Sequence, residues 1–82
     1  MKKLTKEEVN NMSSEDAYEY CLNVEDRKEV RDRIINSFWA YMYCRYIKDR
    51  EEVRNRITES TWAYMYCENI KNRKEVRKHI KN

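Results

Sequence analysis

A period of 23 residues governs this chain, marked by Cys21, Cys44 and Cys67. The stretch from Ala40 to Ile57 returns closely from Ala63 to Ile80 and more loosely from Ala17 to Ile34. A repeat of this length is too short to bury a hydrophobic face alone, so its units must stack. The period predicts an all-α fold: a short helical-repeat solenoid of three 23-residue helix–turn–helix units plus an N-terminal half-repeat. One repeat domain covers 1–82, with a capping helix in 1–13 and repeats at 14–36, 37–59 and 60–82. The chain contains no Gly and no Pro, which argues against hairpins that need Gly at positive φ. Hydrophobic and charged residues each make up 40%, a mixture that suits short amphipathic helices rather than a disordered chain.

Start signals recur at the same period. Thr5 and Glu8 form a capping box for a short helix over 6–12. Ser14, Ser37 and Ser60 stand where N-caps would open helices over 15–24, 38–47 and 61–70. Asp26 with Glu29, Asp49 with Glu52, and Asn72 with Glu75 read as capping boxes for second helices over 27–35, 50–58 and 73–81. Helices this short are marginal in water, so packing between units must hold them.

Ala40, Tyr43, Cys44 and Ile47 fall at i, i+3, i+4 and i+7, one face of a helix. Ala17, Tyr20, Cys21 and Val24 repeat the pattern, as do Ala63, Tyr66, Cys67 and Ile70. Val30 with Ile34, Val53 with Ile57, and Val76 with Ile80 supply the matching face of each second helix. These ladders predict the core. The pattern Ala-Tyr-x-Tyr-Cys-x-x-Ile, followed by an Arg-bearing turn, resembles short tandem two-helix repeats of phage and bacterial proteins, many without assigned function. The resemblance covers about residues 14–82 and departs at Cys, where Ala is expected, and in lacking a Gly- or Pro-bearing turn. It implies a helical array from a phage or mobile element and carries no functional residue across.

Two surface features point to function. Trp39, Met42 and Tyr46 form a stripe at i, i+3 and i+7, continued by Trp62 and Met65 in the third unit. The first unit places Asp16, Glu19 and Asn23 at those positions. A stripe that changes between units meets different surroundings in each. Trp, Tyr and Met are enriched in interface cores, which makes this a protein-binding patch and also suits a homodimer. The competing reading packs the same residues against the neighbouring unit. Arginines form the second feature: Arg27 and Arg31, Arg50 and Arg54, Arg73 and Arg77 recur four apart. Stacking would align them into a strip for phosphates, with Arg50, Arg54, Lys71, Arg73, Lys74, Arg77 and Lys78 as the nucleic-acid-binding set. Against this, Glu29–Arg33 and Glu52–Arg56 are expected helix pairs, and the arginines could lie over the tyrosine rings.

The formal charge is +3, but it is graded along the chain. Residues 14–36 carry four basic and seven acidic groups, whereas 60–82 carry six and two. An acidic first unit could therefore meet the basic last unit of a neighbour in a self-assembling structural protein. The three cysteines are an odd number and lie about one helix diameter apart (~10 Å), too far to share a metal or a disulfide. They are expected to pack as small hydrophobes. His79 is the lone histidine, and no nucleophile–base arrangement stands out from the repeat. No catalytic residues, metal or cofactor are therefore assigned. No apolar run is long enough for a membrane span and no signal peptide follows Met1, so a cytoplasmic protein with reduced thiols is expected. The function expected is a non-enzymatic protein-interaction module. By analogy it would be a small phage-encoded inhibitor of a host defence complex, such as an anti-CRISPR protein in the host cytoplasm. Nucleic-acid binding and structural self-assembly are the alternatives.

Overall fold

The computed structural model describes residues 4–81. These form seven α-helices and no strand: α1 (Lys6–Asn10), α2 (Ser14–Asn23), α3 (Lys28–Arg31), α4 (Ser37–Tyr46), α5 (Glu51–Arg54), α6 (Ser60–Asn69) and α7 (Lys74–Arg77). The ten-residue helices α2, α4 and α6 lie side by side in that order, and each packs against the short helix that follows it. The result is elongated, 45 × 18 × 15 Å.

Helix α1 starts as expected. Thr5 Oγ1 accepts from the Glu8 amide at 3.1 Å, and Glu8 Oε1 accepts from the Thr5 amide at 3.1 Å. The serine caps are displaced by one residue. The N-caps of α2, α4 and α6 are Ser13, Asn36 and Glu59, not Ser14, Ser37 and Ser60. Each of those three serines is the first helical residue, and its hydroxyl reaches across to the chain leaving the following short helix. Ser37 Oγ donates to the Arg56 carbonyl at 3.1 Å and accepts from the Thr58 and Glu59 amides at 3.1 and 3.2 Å. Ser14 makes the same three bonds with Arg33, Ile35 and Asn36. A hydroxyl that bonds two amides and a carbonyl closes each of the first two helix pairs into a loop, and Ser60 closes the third through the Lys81 amide and carbonyl at 2.7 and 3.4 Å. Ser37→Ala removes that closure from a buried site and is expected to cost about 1–3 kcal/mol, read as a lower urea midpoint at unchanged slope.

The second helices are shorter than the sequence suggests. Each has four residues, with Arg27, Arg50 and Arg73 at the N-cap and no side-chain cap bond. Asp26, Asp49 and Asn72 therefore do not cap, because their side-chain oxygens are engaged elsewhere. After each helix the chain tightens into i→i+3 bonding: the Arg33 amide donates to Val30 and the Ile34 amide to Arg31, at 2.9 and 3.0 Å. This tightening places Ile34 beside Val30 in the core although it lies past the helix.

Ala17, Ala40 and Ala63 are fully buried, as are Tyr43, Tyr66, Val30, Val53, Ile34 and Ile57. A small side chain at the helix contact lets α2, α4 and α6 approach closely. Val24 departs from the expected core ladder and is 49% exposed. It is the C-cap of α2, with φ −117° and ψ −70°. Ile47 and Ile70 occupy the same cap position and are half-buried.

Candidate protein-binding surface

The tryptophan stripe lies along the junctions between the long helices. Trp39 on α4 meets Tyr18 on α2, with ring centroids 5.2 Å apart. Trp62 on α6 stacks on Tyr41 of α4 at 5.7 Å, and Phe38 touches both tryptophans at 4.7 Å. Five rings thus form one file across three helices. Tyr18 and Tyr41 are buried at its base, while Phe38, Trp39 and Trp62 are half-exposed above them. Met42 and Met65 flank the file, also half-buried against the core. Tyr46 stands apart, 54% exposed, with the Arg45 guanidinium 5.3 Å from its ring centre. Packing and exposure therefore coexist in the stripe. The sequence reading did not include Phe38, Tyr18 or Tyr41. The signal that finds the two tyrosines is the tyrosine at 18, 41 and 64, which also keeps the 23-residue period, whereas Phe38 shares its register with Glu15 and Thr61 and has no such signal.

The arginines are drawn into a polar spine along the short helices. Asp26 accepts from the Tyr43 hydroxyl at 2.6 Å and pairs with Arg31 and Arg50, both at 3.3 Å. Arg50 Nε also donates to the Tyr43 hydroxyl at 2.8 Å. One unit later, Asp49 takes Tyr66, Arg54 and Arg73 in the same roles. Arg31 and Arg54 reach forward to the next short helix as well. Arg31 Nε donates to Glu52 at 3.1 Å, whereas Arg54 Nε stands 3.6 Å from Glu75, an ion-pair distance too long for a hydrogen bond. The expected Glu29–Arg33 and Glu52–Arg56 pairs give way to other partners. Glu29 pairs with Arg27 instead. Arg56 donates to the Arg31 and Ile34 carbonyls at 2.7 and 2.9 Å, and Arg33 reaches the Met12 carbonyl at 3.4 Å. Arg50 and Arg73 meet tyrosine hydroxyls rather than ring faces, whereas Arg45 does both, donating to the Tyr41 hydroxyl at 2.7 Å and lying over the Tyr46 ring.

Of the phosphate-binding set, Arg50, Arg54 and Arg73 thus spend their charge on carboxylates of this chain. Lys71, Lys74, Arg77 and Lys78 remain exposed around α7, with Arg77 donating to Asn72 at 2.9 Å. A groove of about 550 Å³ lies between α1 and the α3 region, lined largely by charged and polar side chains, including Arg27, Glu29, Asp32 and Arg33.

Burial alone would raise the Asp26 carboxyl, but the Tyr43 hydroxyl and the Arg31 and Arg50 guanidiniums outweigh it and hold it below the ordinary 3.8. Tyr43 and Tyr66 are driven far above 10.0 by burial and by the carboxylate each one touches. A depressed acid contributes stability present above its unfolded pKa and lost as pH falls through its folded one. A raised phenol contributes stability that is lost as pH climbs past its unfolded value. The melting temperature is therefore expected to fall below pH 3.8, to begin falling above pH 9.0, where the thiols of Cys21 and Cys44 ionise in the unfolded chain but not in the folded one, and to fall more steeply above pH 10.0. Asp26→Asn with Tyr43→Phe should flatten both limbs in a melting-temperature series against pH.

The cysteines are free thiols, with Cys21 and Cys44 buried and Cys67 half-buried. Burial, reinforced by neighbouring aspartates, pushes Cys21 up to about 11 and Cys44 up to about 12, so neither is a thiolate at neutral pH. Among the described residues no group of three His, Cys, Asp or Glu side chains is placed to hold a metal ion, and no helix is long and apolar enough to cross a membrane. Comparison with protein families, with curated proteins and with solved structures returns no match.

Proposed function

We propose that the chain is a short helical-repeat solenoid, three 23-residue units behind an N-terminal half-repeat, that acts as a non-enzymatic protein-binding module. The observation that carries this reading is the half-exposed aromatic file. Phe38, Trp39 and Trp62 with Met42 and Met65 present contiguous apolar and ring surface on a base of buried tyrosines. Rings seated this way are held in place before a partner arrives, which lowers the ordering cost of binding. Tyr46 and Arg45 lie at the α4 end of the stripe and add a ring and a cation to it. The nucleic-acid reading is weaker, because carboxylates of the chain already occupy most of the arginine row. Inhibition of a host defence complex in the cytoplasm is the narrower form of the proposal, and it rests on the resemblance to phage repeats.

The test must separate binding from folding, because Trp39 and Trp62 do both. Tyr46→Asp with Met65→Lys changes exposed and half-exposed atoms only. Helicity by circular dichroism is expected to persist while a specific complex, captured at physiological salt from nuclease-treated host lysate by the parent chain, is lost. Capture that survives this double substitution combined with Phe38→Lys, a position that holds Glu15 and Thr61 in the other repeats, sinks the file as the binding surface. Recovery of nucleic acid alone, released by salt, moves the function to the basic residues around α7.

A further inference from the structure

The two ends of the helix row are built differently. At each internal junction the downstream unit lays a tryptophan on a tyrosine of the unit before it: Trp39 on Tyr18 and Trp62 on Tyr41. Those tyrosines are 6% and 2% exposed, whereas Tyr64, at the same position in α6, is 51% exposed. Cys67 is likewise more open than Cys21 and Cys44. On the short-helix side, Arg31 and Arg54 reach Glu52 and Glu75 of the following unit, while Arg77 bonds only its own unit's Asn72. The α6–α7 end thus continues the internal interface with its ring and its guanidinium uncovered.

The opposite end is closed. Asp16 and Glu19, both exposed, stand where Trp39 and Met42 stand in the next unit. Arg33 reaches back to Met12 as Arg56 reaches back to the chain around α3, so the α1 turn fills the place that a preceding short helix would take. A second copy therefore lacks the ring that would cover Tyr64, and its own α1 stands where α7 would have to enter. Asn72 also differs from Asp26 and Asp49, each of which holds a tyrosine hydroxyl and an arginine of the next unit. A neutral amide there does not call for a buried cation.

We infer that the α6–α7 end is a docking face for a further helix pair of acidic character, one that lays an aromatic ring on Tyr64, sets a carboxylate against Arg77 and offers Asn72 a neutral hydrogen-bonding group. The uncovered Lys74, Arg77 and Lys78 favour an acidic partner. Tyr64 is the next station of the tyrosine row under the aromatic file, but the two readings are tested by different substitutions, since Tyr46→Asp with Met65→Lys leaves Tyr64 and Arg77 in place.

The probe is a peptide of sequence 37–59 carrying Arg50→Gln, joined by a Gly/Ser linker after residue 82 of the full chain. It brings Trp39 for Tyr64, Glu52 for Arg77 and the Tyr43 hydroxyl for Asn72. The tether supplies an effective concentration on the order of millimolar, so even a weak contact is read. Amide shifts are expected at Tyr64, Cys67, Asn72 and Arg77, with amide exchange in α7 slowed about tenfold. Arg77→Glu should abolish both effects, and Glu52→Arg in the probe should restore them. The same Arg77→Glu in the untethered chain should leave α2 to α5 unchanged, as the control for folding. Absent shifts, shifts centred on α2, or indifference to the charge swap would each overturn the assignment. So would concentration-dependent shifts at Tyr64 in the untethered chain, which would make a second copy the occupant.

Discussion

Asp49→Ala is expected to lower the stability of the fold by about 3 kcal/mol. The carboxylate accepts from the Tyr66 hydroxyl at 2.7 Å, from Arg73 at 3.2 Å and from Arg54 at 3.4 Å. Tyr66 is fully buried and the Arg54 side chain is 10% exposed, so neither can recover its lost partner from bulk water. Removing one member of such a cluster strands the others. Breaking a buried ion pair from one side costs about 3–5 kcal/mol, and Asp49's partial exposure places it toward the lower figure. A domain of this size has about 5–15 kcal/mol in total, so a loss of that order consumes much of it. Asp49→Asn keeps the shape and an acceptor but loses the charge, and should fall between the parent and the alanine variant. Chemical denaturation with circular dichroism measures all three. Equal stability of the alanine variant and the parent would mean that the spine is ornamental and that apolar packing alone aligns the units.

Ile57→Ala is the second large effect, and its comparison along the row is as informative as its size. Ile34 and Ile57 are fully buried, whereas Ile80, the same position in the last unit, is half-buried. Truncating a buried isoleucine removes its transfer energy and leaves a cavity, together about 2–5 kcal/mol. Ile57→Ala should fall in that range and Ile34→Ala close to it. Ile80→Ala should cost clearly less, because solvent already reaches the site and no closed cavity remains. Three denaturation curves settle the order. A loss at Ile80 as large as at Ile57 would contradict the open α6–α7 end.

The sequence was legible wherever a residue's role was local and periodic. The 23-residue period, the α1 capping box and the i, i+3, i+4 faces located all three long helices to within one residue. Ala40, Tyr43, Cys44, Val53 and Ile57 were placed in the core because one helical face or one tight turn presents them together. Reading failed where a polar side chain had a local and a distant option. Ser14, Ser37 and Ser60 look like caps in one dimension, but each sits near the chain returning about twenty residues later, and the three bonds made there by Ser14 and Ser37, and the two made by Ser60, outweigh one at the helix start. Asp26 and Asp49 look like caps for the same reason, yet a tyrosine hydroxyl and two guanidiniums offer each of them more than an exposed amide does.

The period and the amphipathic pattern by themselves determined that this chain is all-helical, where its long helices lie to within one residue, and most of the side chains they bury, though not Tyr18 and Tyr41, which are buried, or Val24, which is not. Only the tertiary structure decided which arginines keep a free charge, which tryptophan faces stay open, and that Tyr64 is exposed where Tyr18 and Tyr41 are not. Those properties depend on the unit next door rather than on the unit itself. A repeat writes nearly the same side chain at every station, and only contact between stations makes one of them a spacer, another a clasp and the last an open surface.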